Sequence, residues 1–180
     1  MAYGVLIPKA IAASNVDSWV RPAICTTLPV ENGSVFSLLT KSATTGEGEV
    51  WTALVPASSG SHLTDVWMAY EPELVMTGSY RGLDPDVRNF INPVNKVFTA
   101  FKPQLHDILL MSEDCFSGAW GGVTNTHANC TNAGWQLVWG TSQTASVLSV
   151  AYLKTDYISI ATGAMDTQRL TAYTVEVVGL

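Results

Sequence analysis

Ile24-Cys25-Thr26-Thr27-Leu28-Pro29-Val30 and Val35-Phe36-Ser37-Leu38-Leu39-Thr40, separated by Glu31-Asn32-Gly33-Ser34, read as two short strands joined by a tight turn. Asn-Gly between β-prone runs is a strong short-range hairpin signal, because a type I′ turn needs positive φ at both central residues. The expectation is a hairpin centred on Asn32-Gly33. The same grammar continues downstream. Thr44-Thr45-Gly46-Glu47-Gly48-Glu49 turns into EVWTALVPA, and Ser58-Ser59-Gly60-Ser61 turns into LTDVWMAY. In the first of these strands Trp51, Ala53 and Val55 share one parity and Thr52 and Leu54 the other, so one face is mixed and the opposite face apolar. In DVWMAY both parities are largely apolar, which predicts a strand buried on both sides or against a partner.

Residues 71–95 break the rhythm with Glu71-Pro72-Glu73, Gly78, Gly82, Asp84-Pro85-Asp86 and Asn92-Pro93, and read as a long connection anchored by Phe90. Connections of that length inside a compact domain are usually functional, so this one is a candidate interaction loop. Strands resume at KVFTAF (96–101) and HDILLMSED (106–114), pause over a Gly/Asn/Thr-rich loop at 117–134 that carries Trp120, and continue as WQLVWGT, SVLSVAYLKTD, YISIAT and TAYTVEVVGL. In the last run Tyr173, Val175 and Val177 face one way. No convincing helix exceeds a turn or two. The expected fold is all-β, mainly antiparallel: a sandwich or barrel-like domain with long loops, spanning 24–180 and divisible into two β units with a soft boundary near 114–134.

Upstream, residues 1–23 contain Pro8 and Pro22, which fit neither a helix interior nor a central strand, and are expected to form an extended N-terminal arm. Exposed alone, its Val5, Leu6, Ile7, Ile11 and Trp19 would be costly, so the arm packs either on its own domain or on another subunit. Val5, Leu6, Ile7 and Trp19, with Phe90 and Trp120 from the loops, are the candidate interaction residues.

Composition narrows the function. Charged residues are only 13% of the 180, about half the usual share, and Ser, Thr, Asn, Gly and Ala take their place. A neutral, weakly hydrated surface suits a protein covered by neighbours. The net charge of −6 and nine scattered Lys and Arg offer no footprint for nucleic acid. The opening apolar run is broken by Pro8-Lys9, so no secretory signal is expected, and no run of about 18 apolar residues is present to form a membrane-spanning helix. Three cysteines, Cys25, Cys115 and Cys130, point to reduced thiols in a cytoplasmic setting.

Catalytic signatures are weak. The three histidines, His62, His106 and His127, sit in no recognisable motif, and Ser59-Gly60-Ser61-His62 lacks the strand-to-helix context of a nucleophile elbow. His127 and Cys130 with Cys115 lack zinc-pair spacing, and the aspartates lack that of a calcium loop. No enzyme, cofactor or metal is expected. Asn32-Gly33-Ser34 and Asn129-Cys130-Thr131 match the glycosylation pattern but lack an export signal. Six tryptophans are many for this length; they serve either as core and interface anchors or as a glycan-stacking face built from Trp120, Trp135 and Trp139, and Trp120, in its glycine-rich loop, is the one expected to be exposed.

The stretch from EPELV (71–75) through YRGLDPDVRNFINPVNKVFTAFKPQLHDILLMSEDCF (80–116) resembles small structural proteins made with the head genes of tailed bacteriophages, the capsid decoration or cement proteins. The features that carry it are Glu71-Pro72 closing a strand, a short basic strand from Lys96 to Lys102, the Asp107-Ile108-Leu109-Leu110 strand closed by Ser112-Glu113, and the terminal VAYLKTD and TAYTVEVV. It covers about 60–180 in outline, with Pro103-Gln104 and the longer loop around Trp120 as departures. The resemblance implies a virion protein, made in the host bacterial cytoplasm, that binds the capsid exterior in many copies and stabilises the shell. The implied partners are the major capsid protein and neighbouring copies of itself, often as a trimer. A phage tail or neck component and a carbohydrate-binding module are the alternatives.

Overall fold

The computed structural model describes residues 3–43, 48–56, 63, 65–71, 75–76, 83–84, 86–118, 120–132, 134–161 and 167–180. It is all-β, and among the described residues helical segments are 3-10 turns only. Two bodies of strands divide the chain. β2 (Val20–Ile24), β3 (Val35–Lys41), β4 (Trp51–Leu54), β5 (Val66–Ala69) and β8 (Val97–Phe101) close into a barrel in the order β2-β4-β3-β5-β8. β1 (Leu6–Ala10), β9 (Ile108–Ser112), β10 (Phe116–Ser117), β11 (His127–Asn129), β12 (Leu137–Gly140), β13 (Ser149–Ala161) and β14 (Thr167–Gly179) form a seven-stranded sheet ordered β1-β9-β14-β13-β11-β12-β10. β6 (Val75–Met76) and β7 (Leu83–Asp84) make a separate two-stranded pair.

Side-chain alternation joins the bodies. In β5 Trp67 and Ala69 point into the barrel with Phe36, Phe98 and Ala100, whereas Val66 and Met68 point out and join Leu6, Leu109, Met111, Tyr173 and Val175 of the sheet in one core. The strand is therefore buried on both faces, as its unbroken apolar pattern predicts. Val35 of β3 and Phe101 of β8 face the sheet with it. Full burial of each such side chain contributes on the order of 1.5–3 kcal/mol.

The sheet is built around the β13–β14 hairpin, which is paired from Ser149↔Gly179 to Ala161↔Thr167. β9 covers only 172–176 of β14 and β11 only 149–151 of β13, so the far end of the hairpin runs past both neighbours as a two-stranded ribbon. The expected core residues Tyr173, Val175 and Val177 do share the barrel-facing side. On the opposite side Val5, Leu110, Ile158, Ile160 and Ala172 form a smaller cluster.

At several points the structure departs from the sequence-based expectation or chooses between the alternatives it left open. Asn32-Gly33 does not join a hairpin: β2 pairs with β4 and β8, and β3 with β4 and β5. Of the two residues only Gly33 has positive φ (82°), and Ser34 N donates to Glu31 O, which fits a type II turn and not type I′. The Asn32 side chain instead exchanges two hydrogen bonds with the Glu71 backbone, at 2.9 and 3.1 Å, imitating a strand partner.

Of the two packings open to the N-terminal arm, the structure shows the one on its own domain. β1 is the edge strand of the sheet, registered Leu6↔Met111 to Ala10↔Ile108, and β2 belongs to the barrel. The prolines allow both placements. Pro8 lies on an edge strand. Pro22 lies opposite Thr99, whose N–H and C=O are directed to Glu71 and Tyr70, so this is a non-hydrogen-bonded pair.

The 117–134 segment is not all loop, because β11 within it is an interior strand of the sheet with Ala128 fully buried. SVLSVAYLKTD and YISIAT are one strand of 13 residues, not two. The chain passes from barrel to sheet between Phe101 and Ile108, ahead of the 114–134 boundary. The Ser58-Ser59-Gly60-Ser61 turn and His62 lie outside the described residues, as do Thr44 to Glu47 of the turn before β4.

Candidate interaction surfaces

The six candidate interaction residues do not converge. Val5 and Leu6 are buried on opposite sides of the sheet, with Val5 N–H donating to Ser112 Oγ at 2.9 Å. Ile7 is exposed. Trp19 is half-buried against the shared core. Phe90 is half-buried at the end of a 3-10 turn whose Asp86 carboxylate accepts from Arg88 N–H. Trp120, expected to stand in solvent, lies against Tyr152 at 4.6 Å between ring centroids, and its indole N–H donates to Asn125 O.

That contact is one of several around Tyr173. Phe116 and Trp139 stack at 4.5 Å, and both meet the Tyr173 ring at steep angles, 5.9 and 5.5 Å away. Trp120 and Tyr152 complete the group at 5.7 and 6.2 Å from the same ring. Offset and edge-to-face contacts of this kind stabilise by about 0.5–1.5 kcal/mol each beyond their buried area. Burial pushes the Tyr173 phenol above its ordinary pKa. The three tryptophans of the glycan reading therefore do not form one exposed platform: Trp120 and Trp139 pack on each other's neighbours, and Trp135 leans on Phe36 at 6.1 Å.

Acidic groups gather where barrel, sheet and N-terminus meet. Glu31 accepts from Gly4 N–H at 2.9 Å, and burial raises its pKa; burial likewise raises that of nearby Asp114. Arg88 is committed to Asp86 by a two-pronged contact as short as 2.8 Å, which lowers the Asp86 pKa. Backbones crowd here: a Cβ on Gly4 would come within 2.8 Å of Asn32 O, and one on Gly33 would meet Cys115 Sγ at 2.8 Å. Burial pushes the Cys115 thiol up to about 12, so it stays protonated and non-nucleophilic at neutral pH. Cys130 is held in the same state, also at about 12, by burial. His127 Nδ1 meets Thr126 Oγ1, and His106 Nδ1 meets Glu176, 2.8 Å away, in an exposed position.

The outward faces of β2, β4 and β8 also carry exposed apolar side chains. Phe98 and Ala100 point inward, so Val97 and Thr99 point out; Ala23 and Ala53 point inward, so Val20 and Pro22 of β2 and Thr52 and Leu54 of β4 point out. These strands are contiguous, with Val97↔Ile24 and Ile24↔Thr52 in one row. Val97 is 48% exposed, Leu54 39% and Val20 38%, and Leu28, just beyond β2, is 51% exposed. None of these wall residues was singled out from the sequence. The alternation within KVFTAF contained the signal for Val97, but without the pairing order it gave no way to tell which outward positions face the sheet. A smaller exposed apolar pair, Leu153 and Tyr157, lies on β13 of the ribbon.

No family model, curated protein or solved structure matches this chain.

Proposed function

We propose that this chain is a structural virion protein that attaches in many copies to the outer surface of a tailed-phage capsid and stabilises the shell, without catalysing a reaction. The observation that carries the proposal is the outer barrel wall, where Val20, Leu54 and Val97 stand in solvent on adjoining strands of a chain with only 13% charged residues. β-branched and aliphatic side chains on the outside of a closed barrel give a modest contact per copy. Repetition over a shell multiplies such contacts into high avidity without any tight single interface. The major capsid protein is the proposed partner, with neighbouring copies, as in a trimer, meeting at the remaining surfaces.

The test mixes purified protein with undecorated capsids and reads co-sedimentation and capsid melting temperature. The wild-type chain is expected to co-sediment and raise the capsid melting temperature. A Leu54→Glu, Val97→Glu variant is expected to keep its own fold and lose attachment. Failure of the wild-type chain to bind, or equal binding by the variant, contradicts the proposal.

A further inference from the structure

One mouth of the barrel opens on a cavity of about 430 Å³ lined by Ser18, Arg21, Asp65, Trp67, Lys102 and Gln104. Arg21 is the unusual member. Its guanidinium carbon lies 4.4 Å from the Trp51 ring centroid and 4.8 Å from that of Trp67, so two indoles fix its position. Among the described residues no acceptor meets its N–H groups. Several other basic groups are already matched: Lys102 to Asp65 at 2.6 Å, Arg88 to Asp86, Lys9 to Asp156. The buried indole N–H of Trp67 likewise meets no acceptor among the described residues.

We propose that this mouth is a carboxylate-binding site, in which the Arg21 fork takes both oxygens of one carboxylate. Three observations select that ligand class. The guanidinium presents parallel donors in the spacing of a carboxylate. Its orientation is set by Trp51 and Trp67 before any ligand arrives, so little freedom is lost on binding. Because Asp65 cancels Lys102, the cavity keeps a single positive charge, which suits a monoanion and disfavours a phosphate dianion beside the Asp65 carboxylate. Ser18 and Gln104 line the remainder of the cavity and offer hydrogen bonds to the next polar group of the ligand. The site does not depend on what the outer barrel wall contacts.

The experiment follows the indole N–H resonances of the full chain by NMR while sodium acetate, a capped Gly-Glu-Gly peptide or inorganic phosphate is added against sodium chloride of equal ionic strength. Acetate is expected to shift the Trp51 and Trp67 signals with a midpoint in roughly the millimolar range, the scale open to a ligand of a few atoms. Arg21→Lys, which keeps the charge and loses the fork, should weaken binding about tenfold, and Arg21→Met should abolish it. Arg169→Met should leave it unchanged. Tighter binding of the peptide than of acetate assigns the carboxylate to a polypeptide partner; equal or weaker binding assigns it to a free small acid. Unmoved indole signals in the wild-type chain, an unchanged midpoint in folded Arg21→Met or Arg21→Lys, or preference for phosphate over acetate would overturn the proposal.

Discussion

In the barrel, strands of four to seven residues curl around Phe36, Trp67 and Phe98 and leave no free edge; in the sheet, strands reach 13 residues and two edges remain, β1 and β10. The sheet manages those edges in ways that discourage strand addition. Pro8 removes a donor from β1, and β10 is only two residues long. In the sheet Phe116, Trp139 and Tyr152 are used internally, around Tyr173. Closure solves the edge problem for the barrel by itself, but not every outward position is covered by the sheet, and Leu54 and Val97 stand in solvent. On the proposed function, the contact surface lies on the barrel and the sheet supports it.

The largest effect expected from breaking this arrangement comes from removing residues 1–20. The deletion takes β1 from the sheet and the first residue of β2 from the barrel, so the chain should fail to fold cooperatively by circular dichroism and calorimetry. A free arm would instead be lost without effect on the melting curve. Next in size are Trp67→Ala inside the barrel and Leu109→Ala in the sheet, expected to cost about 3–5 and 2–5 kcal/mol respectively. Because Met68 and Phe101 share a core with Leu109, each variant should lower a single melting transition; two separated transitions would show that barrel and sheet fold independently.

Acid titration separates the two bodies more finely. On the outer face of the sheet, Lys9 and Lys154 hold Asp156 below its ordinary pKa of 3.8, so its contribution is present above that value and is lost as the pH falls below it. At the junction, burial raises Glu31 above 4.5, so its ionisation opposes folding as the pH rises through and beyond that value. Glu31→Gln should therefore stabilise the chain at neutral pH and lose that gain on acidification, whereas Asp156→Asn should destabilise it at neutral pH and not in acid. Urea melts at neutral and acid pH read both signs. The smallest effect belongs to the wall: Leu54→Glu and Val97→Glu should change stability by no more than about 0.5 kcal/mol each, as exposed positions do.

Period-two patterning made the fold class legible, and the doubly apolar DVWMAY run announced the strand on which both cores meet. Pairing order was not legible, because it rests on long-range contacts. Asn32-Gly33 carries a hairpin signature, yet the Asn32 side chain bonds to Glu71 and the flanking strands find other partners. Pro8 spoke correctly against a central strand but could not distinguish an edge strand from a free arm. Trp120 looked exposed in its glycine-rich setting because its ring partners, Tyr152 and Tyr173, lie on distant strands.

Hydroxyl-radical footprinting of the chain, free and attached to undecorated capsids, tests the central claim most directly. Attachment is expected to protect Leu54, Val97 and Leu28 while Leu153 and Tyr157 on the ribbon keep their reactivity. Protection of Leu153 and Tyr157 with the barrel wall still reactive would contradict the account.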